Sequence, residues 1–361
     1  MRRKGATIYA IFLMVLMVAG FVACFVFACF TGIKEAVFSI CGMFVGFVIA
    51  QTYHELGHVG FASAVKMELV YIKFFCLKFY RKKGKLRMGL VSPFAPDETQ
   101  VVPKKSGNMQ KRALLYTAGG LIMGGILLVL LLAVNTTLLC LKVPSHFLLG
   151  LLPYCAYSFL LNVFPFEYAS GKTDALVYRG IKKVYDPEKV MLSAMEIHGK
   201  LYEGYSFSEI EEKYYYDVPQ LCEDEPLFSV LLDLRYRYHL EKGELRKSAE
   251  CLNRLVQSRE YLSVAETEKI AVELVYMHAI GGDIERAEES AKLCQDALKQ
   301  EDISAKRALL AYSVAVGKTD AIKPLTEQAT KCLQTERIKG LKKFEEILLE
   351  RMQEFHSVSK E

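Results

Sequence analysis

The sequence predicts a mainly α-helical protein: a polytopic membrane core of about four spans with a small cytoplasmic β-hairpin, followed by a soluble α-helical, repeat-like domain. Three observations lead to this fold class. Four apolar stretches, all in the first half of the chain, are long enough to cross a bilayer, which takes about 20 residues. Residues 1–184 carry 21 Lys and Arg against 7 Asp and Glu, whereas residues 185–361 carry 25 against 34. The second half shows apolar residues at helical period and few helix breakers. We therefore place a domain boundary between residues 184 and 185.

The four apolar stretches are the predicted spans. The first follows basic residues but is longer than the apolar region of a signal peptide, so we interpret it as an uncleaved anchor. Two pairs of glycines at GxxxG spacing, in the second and third spans, favour close helix packing. The spans run from about Ile8 to Phe30, Ala36 to Val65, Ala113 to Leu141 and Phe147 to Phe166, and the glycine pairs are Gly42 with Gly46 and Gly120 with Gly124.

Basic residues predict the orientation of the spans, since Lys and Arg accumulate in cytoplasmic loops. The Lys66–Arg112 segment holds 12 Lys and Arg, whereas the short links after the first and third spans hold one Lys each. We expect the N-terminus, this segment and the C-terminal domain to face the cytoplasm. Because the basic residues flank the spans, the expected partner is the lipid bilayer and not a nucleic acid.

The second span contains the sequence His-Glu-Leu-Gly-His, in which His54 and His58 are four residues apart. Such residues share one face of a helix, so both imidazoles can bind one Zn²⁺ ion. Glu55, next to the first histidine, can act as the general base for a water molecule that attacks a carbonyl group. Ionisable groups inside a span are costly and mark functional sites. This favours a zinc site over a helix end that has simply left the membrane.

A zinc site of this kind needs a third protein ligand, and two carboxylates follow the fourth span. Asn162 and Pro165 indicate that this span breaks near the membrane surface. Asp174 precedes a predicted helix over residues 175–184 and is one candidate ligand, with helix capping as its alternative role. Glu167 is the competing ligand, with a surface charge as its alternative.

With these two motifs, the sequence resembles the site-2 protease family of intramembrane zinc metalloproteases, in which an Asn-x-x-Pro motif precedes an Asp-Gly. The resemblance implies that three residues hold zinc, that one carboxylate is the catalytic base, and that one amide supports the substrate or the transition state. In this chain the zinc ligands would be His54, His58 and Asp174. The catalytic base would be Glu55, and the supporting amide would be Asn162.

The resemblance covers about residues 37–183, and the chain departs from the family pattern in three places. The interval from the Asn to the Asp is longer, with residues 170–173 as a short insertion, and Ala175 stands where the family has Gly. A family motif in the intervening span is reduced to Ala118 and Gly119. We therefore predict only a packing role for the glycines of that span.

The basic segment between the second and third spans predicts a β-hairpin. Residues 69–80 and 86–92 are rich in β-branched and aromatic side chains, and the turn between them contains Gly84. The resemblance implies that such strands lie at the membrane surface and hold a substrate in extended form, by addition of a peptide strand to a sheet edge. The alternative is a hairpin whose lysines bind anionic lipid.

The C-terminal domain shows three similar units, each an apolar helix followed by a glycine and then by a small residue. The glycines Gly243, Gly282 and Gly317 stand 39 and 35 residues apart. This pattern is similar to a tetratricopeptide repeat, whose concave surface could bind a partner protein or peptide. A plain helical bundle is the alternative.

The function that these observations predict is cleavage of transmembrane or membrane-proximal peptide bonds near the cytoplasmic face by a zinc-dependent endopeptidase. The resemblance implies a bacterial cell membrane and, as substrates, membrane proteins in regulated proteolysis or remnants of signal peptides. The alternative is a catalytically inactive membrane scaffold whose helical tail binds partner proteins. A zinc hydrolase acting on lipid is a third, less favoured possibility.

Overall fold

A computed structural model describes residues 2–82, 85–92, 98–168 and 171–358 of the chain. The chain divides into two compact units, each described by itself below. The first comprises residues 1–103 and 108–188, and the second comprises residues 104–107 and 189–361.

Four long apolar helices form most of the first unit, and each has the length and hydropathy of a candidate membrane span. They are α1 (Arg2–Thr31), α2 (Ile33–Ala64), α3 (Met109–Cys140) and α4 (His146–Val163). The prediction of four apolar spans is therefore confirmed as four apolar helices compatible with a membrane protein. Only Gly32 separates α1 from α2, and its φ of +152° is one that residues with a Cβ rarely adopt.

Helices α2 and α4 approach each other through glycines. A Cβ added at Gly42 would lie 2.2 Å from the carbonyl oxygen of Phe147, and one added at Gly150 would lie 2.4 Å from that of Ser39. A Cβ added at Gly46, one turn after Gly42, would lie 3.0 Å from Cα of Leu151 on α4. The packing role predicted for the glycine pair of the second span is confirmed, because no larger residue fits between these backbones.

A four-stranded antiparallel sheet follows α2, where the sequence predicted a simple hairpin. Its strands are β1 (Met67–Phe74), β2 (Leu77–Lys82), β3 (Lys85–Leu90) and β4 (Glu98–Pro103), in the order β3-β2-β1-β4. The single strand predicted over residues 69–80 is wrong, because the chain reverses at Phe75, which has φ +52°. The predicted turn at residues 83–84 lies outside the described residues. The sheet brings β4, which the sequence did not indicate, against β1.

A short hairpin joins α4 to the next helix. Its strands are β5 (Glu167–Tyr168) and β6 (Gly171–Lys172), and α5 (Asp174–Lys183) follows directly. Helix α6 (Asp186–Glu203) begins in the first unit and belongs mostly to the second.

The second unit is helical, as predicted. Two single-turn 3₁₀ helices, Phe207–Glu209 and Arg259–Tyr261, interrupt its α-helices. The α-helices that follow α6 are α7 (Lys213–Tyr216), α8 (Pro226–Lys242), α9 (Leu245–Gln257), α10 (Val264–Ile280), α11 (Ile284–Leu293), α12 (Gln295–Lys299), α13 (Ile303–Ala315), α14 (Thr319–Thr335) and α15 (Lys339–Val358). Gly243, Gly282 and Gly317 all have φ between 71° and 77° and lie in the turns α8–α9, α10–α11 and α13–α14. The three glycines selected from the sequence thus mark three helical hairpins.

The second unit also holds the four-residue segment that joins β4 to α3. The hydroxyl of Ser106 donates a hydrogen bond to Glu203 Oε2 at 2.7 Å, and its amide donates to Oε1 at 3.2 Å. The amide of Gly107 donates to Glu196 Oε1 at 2.7 Å. Residues 104–107 are therefore held by carboxylates of α6, which the sequence did not predict.

A buried ionic network lies in the core of the second unit. Arg307 is 0 % exposed; its Nε donates to Glu345 Oε2 at 2.8 Å and its Nη2 donates to Glu273 Oε2 at 2.9 Å. The hydroxyl of Tyr236 also donates to Glu273, at 2.8 Å. Burial opposes ionisation of Glu273, but the neighbouring arginines outweigh burial and hold the pKa of its carboxyl below the ordinary value. Glu273 is therefore charged and paired at neutral pH.

Candidate metal centre

His54 and His58 face the same direction from consecutive turns of α2. Their side chains are almost fully buried, with residue exposures of 9 % and 6 %. The two Nε2 atoms are 3.3 Å apart. The four-residue spacing on a helix therefore brings the two imidazoles together, as the sequence pattern predicted.

Asp174, the first residue of α5, completes a triangle with the two histidines. Its Oδ2 lies 3.0 Å from Nε2 of His54 and 3.2 Å from Nε2 of His58. In a tetrahedral zinc site with bonds of about 2.0 Å, ligand atoms are about 3.3 Å apart. The three atoms therefore have a spacing that could hold a metal ion.

The hydrogen bonding of His58 supports this interpretation. Its Nδ1 lies 3.0 Å from the carbonyl oxygen of Tyr116 on α3, and a carbonyl oxygen only accepts, so Nδ1 carries the proton. In the neutral ring, Nε2 then presents its lone pair to the triangle. A backbone partner of this kind fixes the tautomer and the orientation of a metal-binding histidine. Two lone pairs and a carboxylate that converge on one point could hold a cation.

Gly120 on α3 leaves the space beside the triangle open. A Cβ at this position would lie 2.5 Å from Nε2 of His58 and 2.9 Å from Nε2 of His54. One residue earlier, Gly119 meets Gly57 of α2 so closely that a Cβ on Gly57 would be 2.4 Å from the Gly119 carbonyl oxygen. The packing role predicted for glycines of this span is therefore incomplete, because Gly120 borders the metal-binding atoms themselves.

Glu55 is buried beside the triangle without belonging to it. It is 6 % exposed, and its Oε2 accepts a short hydrogen bond from the hydroxyl of Thr99 on β4. The Thr99 carbonyl oxygen accepts a hydrogen bond of 2.6 Å from the hydroxyl of Tyr116. Tyr116 therefore contacts both sides of the site: its backbone orients His58, and its side chain holds the strand that contacts Glu55.

Asp174 is positioned by the hairpin that precedes it. The Thr173 amide donates to the carbonyl oxygen of Phe166 at 3.0 Å, and the Thr173 hydroxyl donates to the carbonyl oxygen of Phe164 at 2.8 Å. The same hydroxyl accepts a hydrogen bond from the amide of Leu176 and so caps α5. These bonds place the start of α5 against the end of α4. Burial opposes ionisation of Asp174, but the two adjacent imidazoles outweigh burial and hold the pKa of its carboxyl below the ordinary value.

The two remaining predicted site residues do not belong to the triangle. Glu167 is exposed on β5, so Asp174 and not Glu167 lies beside the histidines. The side-chain amide of Asn162 donates to the carbonyl oxygen of Ser158, one turn earlier in α4, at 3.2 Å. The group that could hold a metal comprises His54, His58 and Asp174 alone among the residues that the structure describes.

Sequence reasoning missed Thr99, Tyr116 and Gly120. The consecutive glycines at positions 119 and 120 were a signal of close approach, but not of what approaches. No local pattern marks Thr99 or Tyr116, because their roles depend on the pairing of β4 and on the position of α3.

Comparison of the chain with protein-family models, with curated proteins and with solved structures finds no match.

Proposed function

We propose that this protein is an intramembrane zinc metalloprotease of the site-2 type, which cleaves transmembrane or membrane-proximal peptide bonds. The convergence of two imidazole Nε2 atoms and one carboxylate Oδ2 within 3.0–3.3 Å, with a further buried carboxylate beside them, carries the proposal. This is the donor set of a catalytic zinc site with three protein ligands.

The depth of the site in its helices supports action within the membrane. His54 and His58 lie ten and six residues before the end of α2 at Ala64, which corresponds to about 9–15 Å at 1.5 Å per residue. Gly120 lies at a similar distance from the start of α3 at Met109. The site would thus be nearer to one membrane surface than to the other. The basic sheet segment between α2 and α3 favours the cytoplasmic surface.

The residues around the triangle have distinct tasks in this proposal. A zinc ion held by His54, His58 and Asp174 would supply Lewis-acid chemistry toward a peptide carbonyl group and a water molecule. Glu55 is the general base: Thr99 occupies its Oε2, and its Oε1 takes the proton from the attacking water. Tyr116 orients His58 and anchors β4, so that base and ligands keep their relative positions.

The edge strand β4 offers a site for an extended substrate. In the described sheet its neighbour is β1 on one side only, and Thr99 on this strand contacts the general base. A peptide that adds to the other edge of β4 would present its backbone close to Glu55. Extended peptides from membrane-anchored regulators or from signal-peptide remnants fit this geometry. In the alternative role of this sheet, the lysines of β2 and β3 contact anionic lipid.

For the second unit we propose a repeat-like domain of helical hairpins that binds a partner in the cytoplasm. The support is the regular position of Gly243, Gly282 and Gly317 in three successive hairpin turns. The distribution of basic residues supports an orientation with the N-terminus and this domain inside the cell, and the family resemblance implies the bacterial cell membrane.

The test uses protein reconstituted in liposomes with a library of quenched fluorescent peptides that contain an apolar span. We expect wild-type protein to contain about one zinc per chain and to cleave members of the library. Glu55→Gln should retain zinc and lose cleavage. Asp174→Asn should lose zinc, whereas Glu167→Gln, the matched change at the other carboxylate, should retain both zinc and cleavage.

Two results would refute the proposal. Cleavage by Glu55→Gln at the wild-type rate would remove the proposed base. Wild-type protein that binds no zinc in zinc-supplemented buffer would remove the metal centre and favour the inactive scaffold.

A further inference from the structure

The second unit has a half-open cavity of about 640 Å³ between helices α6, α8, α10 and α13. Ligand pockets in proteins typically have volumes of about 300–1,000 Å³. Most of the cavity wall is apolar, and Val230, Leu262 and Ile270 contribute side chains that are not fully buried. A ligand in this cavity would therefore bury apolar surface.

The ionisable groups on the cavity wall are mainly acidic. The charged residues of the wall are Asp233, Glu266, Glu268, Glu273, Asp302, Arg237 and Lys269. Glu273 is already neutralised by the buried Arg307, so four carboxylates remain against two cationic side chains, a net charge of −2. Some of these charges are already satisfied within the unit. Arg237 forms an ion pair with Asp233 at 2.9 Å, and Glu266 accepts hydrogen bonds from Ser263.

Three polar groups of the wall lack such partners. Among the described residues, neither Glu268 nor Asp302 forms a side-chain hydrogen bond or an ion pair, although Asp302 precedes α13. Nδ1 of His198 is buried and has no hydrogen-bond partner within the described parts of the chain. Burial lowers the pKa of His198, so that its ring is neutral at neutral pH. A buried polar atom without a partner is costly, and a bound molecule could supply that partner to His198.

We infer that this cavity binds a short peptide with apolar side chains and at least one lysine or arginine, whose charge lies between Glu268 and Asp302. The apolar wall fits the side chains, and the excess of carboxylates fits a cation. A peptide suits the site better than a small amine because the unpartnered groups lie on three different elements: α6, α10 and the start of α13. A backbone amide or carbonyl group can reach His198 while a side chain reaches the carboxylates.

The experiment measures peptide binding to the full chain in detergent, in a Glu55→Gln background so that the probe is not consumed. The probe is a six-residue peptide that alternates lysine with leucine and phenylalanine and carries a C-terminal fluorophore. Its twin has glutamate in place of each lysine. We expect the basic peptide to bind about tenfold more tightly than its twin, from one exposed and one partly exposed ion pair.

Charge reversal on the wall provides the discriminating variant. In Glu268→Lys/Asp302→Lys, the preference should invert to the acidic peptide, whereas Glu250→Lys/Glu289→Lys, at exposed positions away from the cavity, should keep the wild-type preference. Glu268→Gln/Asp302→Asn should abolish the preference, and it provides the same test if the reversed variant fails to fold.

The inference is overturned if the starting protein does not prefer the basic peptide, or if both cavity variants retain that preference. Displacement of the probe by hexylamine as effectively as by unlabelled peptide would show that a small amine is the ligand. Because no cleavage is measured, these outcomes are independent of whether Glu55 is a catalytic base.

Discussion

A methyl group added at Gly120 should disable the metal centre without unfolding the membrane helices. In Gly120→Ala the new Cβ would lie 2.5 Å from Nε2 of His58 and 2.7 Å from Cε1 of His54, whereas ordinary contacts begin at 3.4 Å. Relief requires that His58 move by about 0.9 Å, the difference between 3.4 and 2.5 Å. Metal–ligand distances tolerate shifts of only about 0.2 Å.

Movement of α3 instead of the histidine would not restore the site. Helix α3 contacts α2 backbone to backbone at Gly119 and Gly57, and its Tyr116 carbonyl oxygen orients His58. Loss of a group that hydrogen-bonds to a metal ligand typically costs about 10–100-fold in metal affinity. We therefore expect Gly120→Ala to weaken zinc binding by at least about 100-fold, which corresponds to about 2.7 kcal/mol.

The assay is competition for zinc between the metal-depleted protein and a fluorescent indicator in detergent. Gly124→Ala is the matched control, because its Cβ would meet nothing closer than Phe159 at 3.7 Å. Thermal unfolding of the metal-free proteins separates a local effect from misfolding. Zinc binding by Gly120→Ala at wild-type affinity, with intact folding, would refute the geometry that we describe for this site.

Three further predictions test other parts of the molecule. Thr173→Val should weaken zinc binding by about tenfold, because it removes the hydroxyl that bonds Phe164 and caps α5. Thr137→Val is the control and should not weaken zinc binding, because the Thr137 hydroxyl bonds only within α3. The zinc-indicator assay detects the difference. Arg307→Met should destabilise the second unit by about 3–5 kcal/mol, because it removes the ion pair of buried Glu345 and the closest ion pair of buried Glu273. The exposed Arg246→Met should cost less than about 1 kcal/mol, and equal resistance of both variants to proteolysis in urea would contradict this. Because burial lowers the pKa of His198 in the folded state, the unfolded state binds the proton more readily. His198 therefore leaves the free energy of unfolding unchanged above about pH 6.5 and lowers it as the pH falls from there toward the folded pKa. Measured against pH, the free energy of unfolding should fall less steeply in His198→Gln than in the wild-type protein.

The parts of the structure that follow from local sequence were predictable. Apolar length predicts the four long helices, and the spacing of His54 and His58 predicts their common face on one helix. Asp174 and Glu167 were both indicated as carboxylates that follow the fourth span, and the family resemblance favoured Asp174. Each of these inferences depends on residues close together in the chain.

The parts that depend on long-range pairing were not predictable. Thr99 reaches Glu55 only because β4 pairs with β1, in the register Ile72 with Thr99, after 25 or more intervening residues. The turn at Phe75 has no glycine, asparagine or proline to mark it, so one predicted strand became two. Gly120 belongs to a spacing that is typical of helix packing, and only the position of α2 shows that a histidine pair lies opposite.

The long interval between Asn162 and Asp174 is a feature of the chain path and not of the metal centre. Glu167 pairs with Lys172 and Tyr168 pairs with Gly171. The amide of Thr173 also donates to the carbonyl oxygen of Phe166, so the two ends of this hairpin lie next to each other. A hairpin closed in this way can vary in length at its tip without moving the residue after its base. Since Asp174 lies 3.0 Å from His54 despite the insertion, the unusual interval is no argument for a metal-free scaffold. The question of catalysis then depends on Glu55 and on the metal content of the protein, both of which can be measured.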